Sequence, residues 1–117
     1  LREKNYQTYL KNDELAKRAL TQPPGSSRYS FIMLLDSNQD RLLLQEHLSK
    51  NNIGSSVYYP SPVPNFTKYK QLGYSQSNVK NATKIATHSI SLPIGPHLSN
   101  NDVGNISNEI SKFLKAL

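Results

Sequence analysis

The chain has 117 residues, no cysteine, and 14 Lys and Arg against 8 Asp and Glu, for a formal charge of +6. That length builds one domain of common size and is short for an enzyme that must also enclose a large cofactor. Lack of cysteine excludes a disulfide framework, a thiolate zinc site and a cysteine nucleophile, and accords with a reducing, cytoplasmic setting. Residues 2–19 open the chain as a helix, with Tyr6, Tyr9, Leu10, Leu15, Ala16 and Ala19 at three- and four-residue spacing and Asn12-Asp13 as a bend. The run Thr21-Gln22-Pro23-Pro24-Gly25-Ser26-Ser27 then stops it, because two prolines and a glycine leave no helical alternative.

Residues 28–35 read as the first strand. Phe31-Ile32-Met33-Leu34-Leu35 is almost continuously apolar, so both of its faces are expected to be covered. Asp36-Ser37-Asn38 supplies a turn and a cap for a helix over residues 39–50, carrying Leu43, Leu44 and Leu48. Asn51-Asn52 ends that helix, since asparagine tolerates the left-handed conformation.

Residues 53–59 read as the second strand, and it delivers two adjacent tyrosines into a proline spur. Pro60, Pro62 and Pro64 fix φ and remove amide donors, so the chain beyond Tyr59 cannot continue a sheet ladder. The expected product is a rigid, extended segment with Tyr58 and Tyr59 at its base and Phe66 and Tyr69 beyond. Such aromatic loops at strand ends are common ligand-binding equipment. Two readings of Tyr58 and Tyr59 stand together here: ligand contact, and half-buried packing.

A short helix over residues 65–72 follows, broken by Gly73-Tyr74-Ser75. Residues 79–87 form a helix with an apolar face of Val79, Ala82, Ile85 and Ala86, and residues 90–92 a short strand closed by Pro93. Ser99 and Asp102 make a capping box for the last helix, whose stripe of Val103, Ile106, Ile110, Phe113, Leu114 and Leu117 must be buried against something. The expected fold is α/β (α+β), a small three-stranded sheet with helices packed mainly on one face. Residues 1–27 act as a linking helix and Pro/Gly loop, and residues 28–117 as the domain proper.

The basic balance, with a pI near 9.6, favours anionic partners, but no run of Lys or Arg exceeds two residues. A generally solvated basic surface is the plainer reading. A stand-alone basic α/β module that binds nucleic acid or a protein partner is the rival reading; the missing aromatic-basic interleaving of an RNA-recognition strand weighs against its nucleic-acid form. His47, His88 and His97 are too dispersed for a metal triad, and no serine elbow, phosphate loop or paired carboxylate stands out. No apolar run nears the roughly 18 residues of a membrane span, and no signal-peptide pattern opens the chain. A mean hydropathy of −0.61 and a first residue, Leu1, that opens inside a helix-like pattern point to a piece of something longer.

Arg2 to Leu10, Ile53-Gly54 with Tyr58-Tyr59-Pro60-Ser61-Pro62, and Ile90-Ser91-Leu92-Pro93-Ile94 with Leu98-Ser99 and Asp102 stand in one order along the chain. In that order and spacing they resemble the carboxy-terminal part of the DegT/StrS-type aminotransferases, pyridoxal-phosphate enzymes that act on keto-sugar nucleotides. The resemblance runs from about Arg2 to the end. Tyr58 stands where the family usually has histidine, Pro64 where a histidine often follows the second proline, and Thr83 where an acidic residue is usual. These departures bear on substrate identity more than on fold.

The resemblance implies the small domain of a fold-type-I aminotransferase whose large, cofactor-binding domain is not in this chain. The parent would move an amino group from glutamate or a similar donor to a keto-sugar nucleotide, as a homodimer. Pyridoxal phosphate would be held by the missing domain and not by this chain alone. The chain by itself would not transaminate. The residues themselves offer Tyr58, Tyr59 and Tyr69 for stacking and hydroxyl donation, Lys68 for a diphosphate and Arg28 for a carboxylate; plain surface exposure is the other reading of Arg28 and Lys68.

Overall fold

Two short strands organise the molecule. In the computed structural model, which describes residues 1–75 and 78–117, β1 (Phe31–Leu34) runs antiparallel to β2 (Ser89–Leu92). The register pairs Phe31 with Leu92 and Met33 with Ile90 on one face, and Ile32 with Ser91 and Leu34 with Ser89 on the other. Because side chains alternate across a strand, this register sorts the apolar residues of β2 to one side and its serines to the other.

The apolar face is the core. Phe31, Met33 and Ile90 are fully buried there with Tyr9 and Leu15 from the amino-terminal helices, α1 (Arg2–Leu10) and α2 (Asp13–Ala16). Leu44 and Leu48 join from α3 (Asn38–Lys50), and Val103, Ile110 and Leu114 from the long α6 (Asn100–Ala116). Tyr6 and Tyr9 lie against Phe31 with ring centroids 5.3 and 4.8 Å away, so α1 is packed into the same core as the sheet. Each large side chain buried this way contributes roughly 1.5–3 kcal/mol.

Local chemistry explains where the helices begin and end. Asn12 interrupts the first helical run and its side chain caps α2 by accepting from the Glu14 amide. Ser37 caps α3 by accepting from the Asp40 amide, and Asn52 leaves that helix with φ at 56°, the left-handed stop expected of asparagine. The Ser99–Asp102 capping box is complete: each side chain bonds the other residue's amide. Between α3 and β2 lie a 3-10 turn (Val63–Asn65), α4 (Thr67–Gln71) and α5 (Lys80–His88), with Gly73 at φ 84° ending α4's exit turn.

One expectation is corrected. The strand anticipated over residues 53–59 is only an isolated bridge, with the Ser56 amide donating to Ser91 O at 3.0 Å and the Ser91 amide to Ser56 O at 2.8 Å. The sheet is thus two-stranded among the described residues, bordered by that bridge and by another between Ala19 and Met33. The physical reason lies in the spur: prolines downstream and a left-handed Tyr59 turn the chain away after one pair. Both faces of β1 are covered, the core face more tightly: Ser89 and Ser91 are buried on the other face, and Ile32 and Leu34 are half-buried there.

Candidate functional site

The serine face of the sheet and the proline spur meet. Once Ser56 has paired with Ser91, the chain turns through Tyr58 and Tyr59, and Tyr59 adopts φ 55°. A left-handed aromatic residue is a backbone outlier, and one directly before a proline is doubly constrained. Strain of this kind clusters where a side chain must be aimed. Here it holds Tyr59 almost wholly in solvent, at 86% exposure, while Tyr58 lies half-covered. Pro62 is buried and anchors the spur.

Three shallow hollows converge on Tyr58. The first, of about 370 Å³, is floored by Ile32, Ser89 and Ser91 of the sheet and walled by Tyr29, Tyr58, Tyr59 and Ile85 of α5. The second, about 490 Å³, runs along the spur between Tyr58, Pro60, Val63 and Phe66 and the Ala82–Ile85–Ala86 face of α5. The third, about 360 Å³, lies on the other side of the Tyr29–Tyr58 pair, toward Arg2, Ser55, Ser56 and Gly95. The Tyr29 and Tyr58 rings are 6.4 Å apart and tilted by 40°. Phenols over an apolar wall, beside serine hydroxyls, suit a flat polar ligand that stacks on one side and hydrogen-bonds on the other.

The residues singled out from sequence separate into groups. Tyr58 and Tyr59 come together as expected. Lys68 and Tyr69 sit on α4, both exposed, and Tyr69 packs edge-on against Tyr74 with centroids 6.1 Å apart; neither lines the three hollows. Arg28 is buried and bonded within the fold through Nε and Nη1. Its Nε donates to Glu3 at 2.6 Å, its Nη1 to Gln22 O and Ser26 Oγ at 3.0 Å, and its guanidinium lies 4.3 Å from the Tyr6 ring centroid. A φ of 48° at Arg28 turns the side chain under α1.

Sequence reading passed over Tyr29, Ser89, Ser91, Ile85 and Arg2. A signal existed for the serines: Ser89-Ile90-Ser91-Leu92 alternates strictly, which marks a strand with one polar face. Tyr29 stands two residues before Phe31 and so shares a side with neither serine by spacing alone; the pairing decided its place. His47, read as structural, pairs its Nε2 with Glu109 Oε1 at 2.9 Å and stacks near Phe113.

A larger hollow of about 620 Å³ lies beyond Gly54 and Pro93, between the end of α3 and the first turns of α6, lined by Asn52, His97, Asp102 and Asn105. It carries no apolar wall of aromatic rings. Among the described residues no group of three or more His, Cys, Asp or Glu is placed to hold a metal. All ten lysines are exposed, so none has the apolar enclosure that makes a lysine a Schiff-base nucleophile. The residues present do not fit a covalently held aldehyde cofactor. No helix of the described residues is long and apolar enough to cross a membrane.

Comparison with known proteins bears on this geometry. The model of the DegT/DnrJ/EryC1/StrS aminotransferase family matches residues 2–111. The erythromycin biosynthesis sensory transduction protein EryC1 of Saccharopolyspora erythraea is 35% identical over 95 residues, 81% of this chain and 25% of that protein. The pyridoxamine-phosphate (PMP) form of the putative sugar aminotransferase Spr1654 of Streptococcus pneumoniae superposes with a TM-score of 0.80 at 26% identity, over 99% of this chain and 31% of that one. DesV of S. venezuelae shares the fold, with a TM-score of 0.83 at 22% identity over 99% of this chain and 32% of its own. The chain therefore spans a quarter of the first relative and about a third of the two solved structures.

Proposed function

The chain belongs to the DegT/DnrJ/EryC1/StrS aminotransferase family, and from that premise we propose that it is the small domain of a pyridoxal-phosphate-dependent aminotransferase acting on a keto-sugar nucleotide. Residues 28–117 form the body of that domain, and α1, packed into the same core, ties it to the rest. The large domain holds the cofactor; this chain, with every lysine exposed, contributes no anchor for it. The amino donor is glutamate or a close analogue, and the parent works as a dimer in the cytoplasm.

The observation that carries the reading is the convergence of three hollows on Tyr58, with Tyr29, Tyr59 and two serine-bearing strand positions around it. Tyr58 and Tyr59 stack on and hydrogen-bond the sugar or base. Lys68 and Tyr69, exposed on α4, approach the ligand from the far end of the spur when the domains close. Arg28 serves as a positioning residue, since its bonds to Glu3 and Gln22 hold the segment that leads into Tyr29 and β1.

The test is made on the protein expressed from its complete reading frame. Cofactor absorbance should convert on adding glutamate and revert on adding a keto-sugar nucleotide. Tyr58→Ala should raise KM for the sugar nucleotide about tenfold or more while leaving the glutamate half-reaction intact. A complete reading frame without cofactor absorbance refutes the proposal.

A further inference from the structure

The four arginines of the chain are not equally occupied. Arg28 is paired with Glu3, and Arg18 with Glu14 at 2.9 Å and Asp36 at 3.5 Å. Arg41 bonds only Asn38, on the exposed side of α3. Arg2 has neither a carboxylate partner nor a hydrogen bond from its Nη groups among the described residues; its Nε is buried without an acceptor, as is that of Arg18. A guanidinium whose Nη groups are not used inside the fold keeps them for an oxygen brought by a ligand or by solvent.

Its surroundings point the same way. Arg2 lies over the Tyr29 ring, its Cζ 5.9 Å from the centroid, a cation–π contact at the long end of the range. It lines the hollow of about 360 Å³ that also takes in Ser55, Ser56 and the Tyr58 phenol, and no acidic residue lines that hollow. One planar cation, hydroxyl donors and no competing carboxylate make a receptor for an oxyanion.

We infer that the hollow between Arg2, Tyr29, Ser55, Ser56 and Tyr58 is an oxyanion-binding site, with Arg2 as the bidentate partner of a phosphoryl or carboxylate group of the substrate. Assigning the anion to a substrate rests on the aminotransferase reading above; oxyanion binding itself does not. The site takes over the carboxylate role that its place at the mouth of the first strand gave to Arg28, whose Nε and Nη1 are used inside the fold.

The experiment is calorimetric titration of the protein from its complete reading frame with inorganic pyrophosphate in one arm and glutarate in the other. Wild type should bind at least one of them, and Arg2→Gln should weaken that binding about tenfold or more. Arg41→Gln, which removes a positive charge outside the hollow, should leave it unchanged. The arm affected tells whether the site takes a diphosphate or a carboxylate. Arg2→Lys keeps the stem and the charge but loses the fork, so it should also weaken binding, and it stands alone if Arg2→Gln fails to fold. No binding by wild type, equal loss in the Arg2 and Arg41 variants, or no loss in either Arg2 variant overturns the inference. Because the readout is binding and not turnover, it stands or falls separately from cofactor absorbance.

Discussion

Arg28 Nε donates to Glu3 Oε2 at 2.6 Å, joining the loop before β1 to the first turn of α1 across 25 residues of sequence. The Arg28 hydrogen bond, and then one from Gln7, hold the Glu3 carboxyl below its ordinary value of 4.5. A carboxyl depressed in the folded state stabilises fully above its ordinary value, and that contribution is lost as pH falls through the lower folded value. Arg28→Ala should therefore flatten the acid side of the stability profile. It should also lower Tm by about 5 °C through lost packing on Tyr6 and lost hydrogen bonds. Thermal melts from pH 7 to pH 3 check both, and an unchanged acid limb would show that the pair contributes nothing.

Tyr9 is fully buried and its hydroxyl donates to Pro93 O at 2.7 Å. Burial pushes the phenol well above its ordinary value of 10. The folded state then holds this proton more tightly than the unfolded chain does. Its contribution is complete below pH 10 and is lost as pH rises beyond it. Tyr9→Phe should cost about 1–2 kcal/mol at neutral pH, by leaving a carbonyl without its donor, and should remove part of the alkaline destabilisation. Urea unfolding at pH 7 and pH 10.5 measures the two effects.

Leu43 and Leu44 are adjacent in α3, yet Leu44 is fully buried while Leu43 is 39% exposed. Leu44→Ala should destabilise by about 3 kcal/mol, the usual cost of a core cavity, and Leu43→Ala by less than about 1 kcal/mol. Equal losses from the two, measured by chemical denaturation, would show that the helix faces the core with another side.

Ser99 caps the helix that carries Val103, Ile110 and Leu114 into the core. Its hydroxyl, and then its amide, bond Asp102 and hold that carboxyl below its ordinary range. Ser99→Ala should cost about 1 kcal/mol and Ser99→Asn clearly less, because asparagine offers the same side-chain acceptor. A larger loss for asparagine than for alanine would contradict the capping account.

Element identity was legible because it is local. The Ser37 and Ser99 caps, the stop at Asn52, the stripe from Val103 to Leu114 and the three landmark motifs depend on residues within a few positions of one another. The third strand failed for a reason that lies outside any window of pattern. Residues 53–59 have strand-like composition, but a ladder needs a partner of matching length, and only Ser56 meets one, at Ser91. The proline spacing points directly at Tyr58 and Tyr59, and the fold sets both beside the same two hollows.

What the sequence by itself determined about this protein is its set of helices, its two real strands, its family likeness and the stiff spur. Those follow from periodicity, capping and fixed φ, all short-range properties of the chain. Tertiary structure alone decided which arginines are occupied and which remain open, because Glu3 reaches Arg28 from 25 residues away. It also decided that the serines of β2 lie beneath the tyrosines, since only strand register assigns a face.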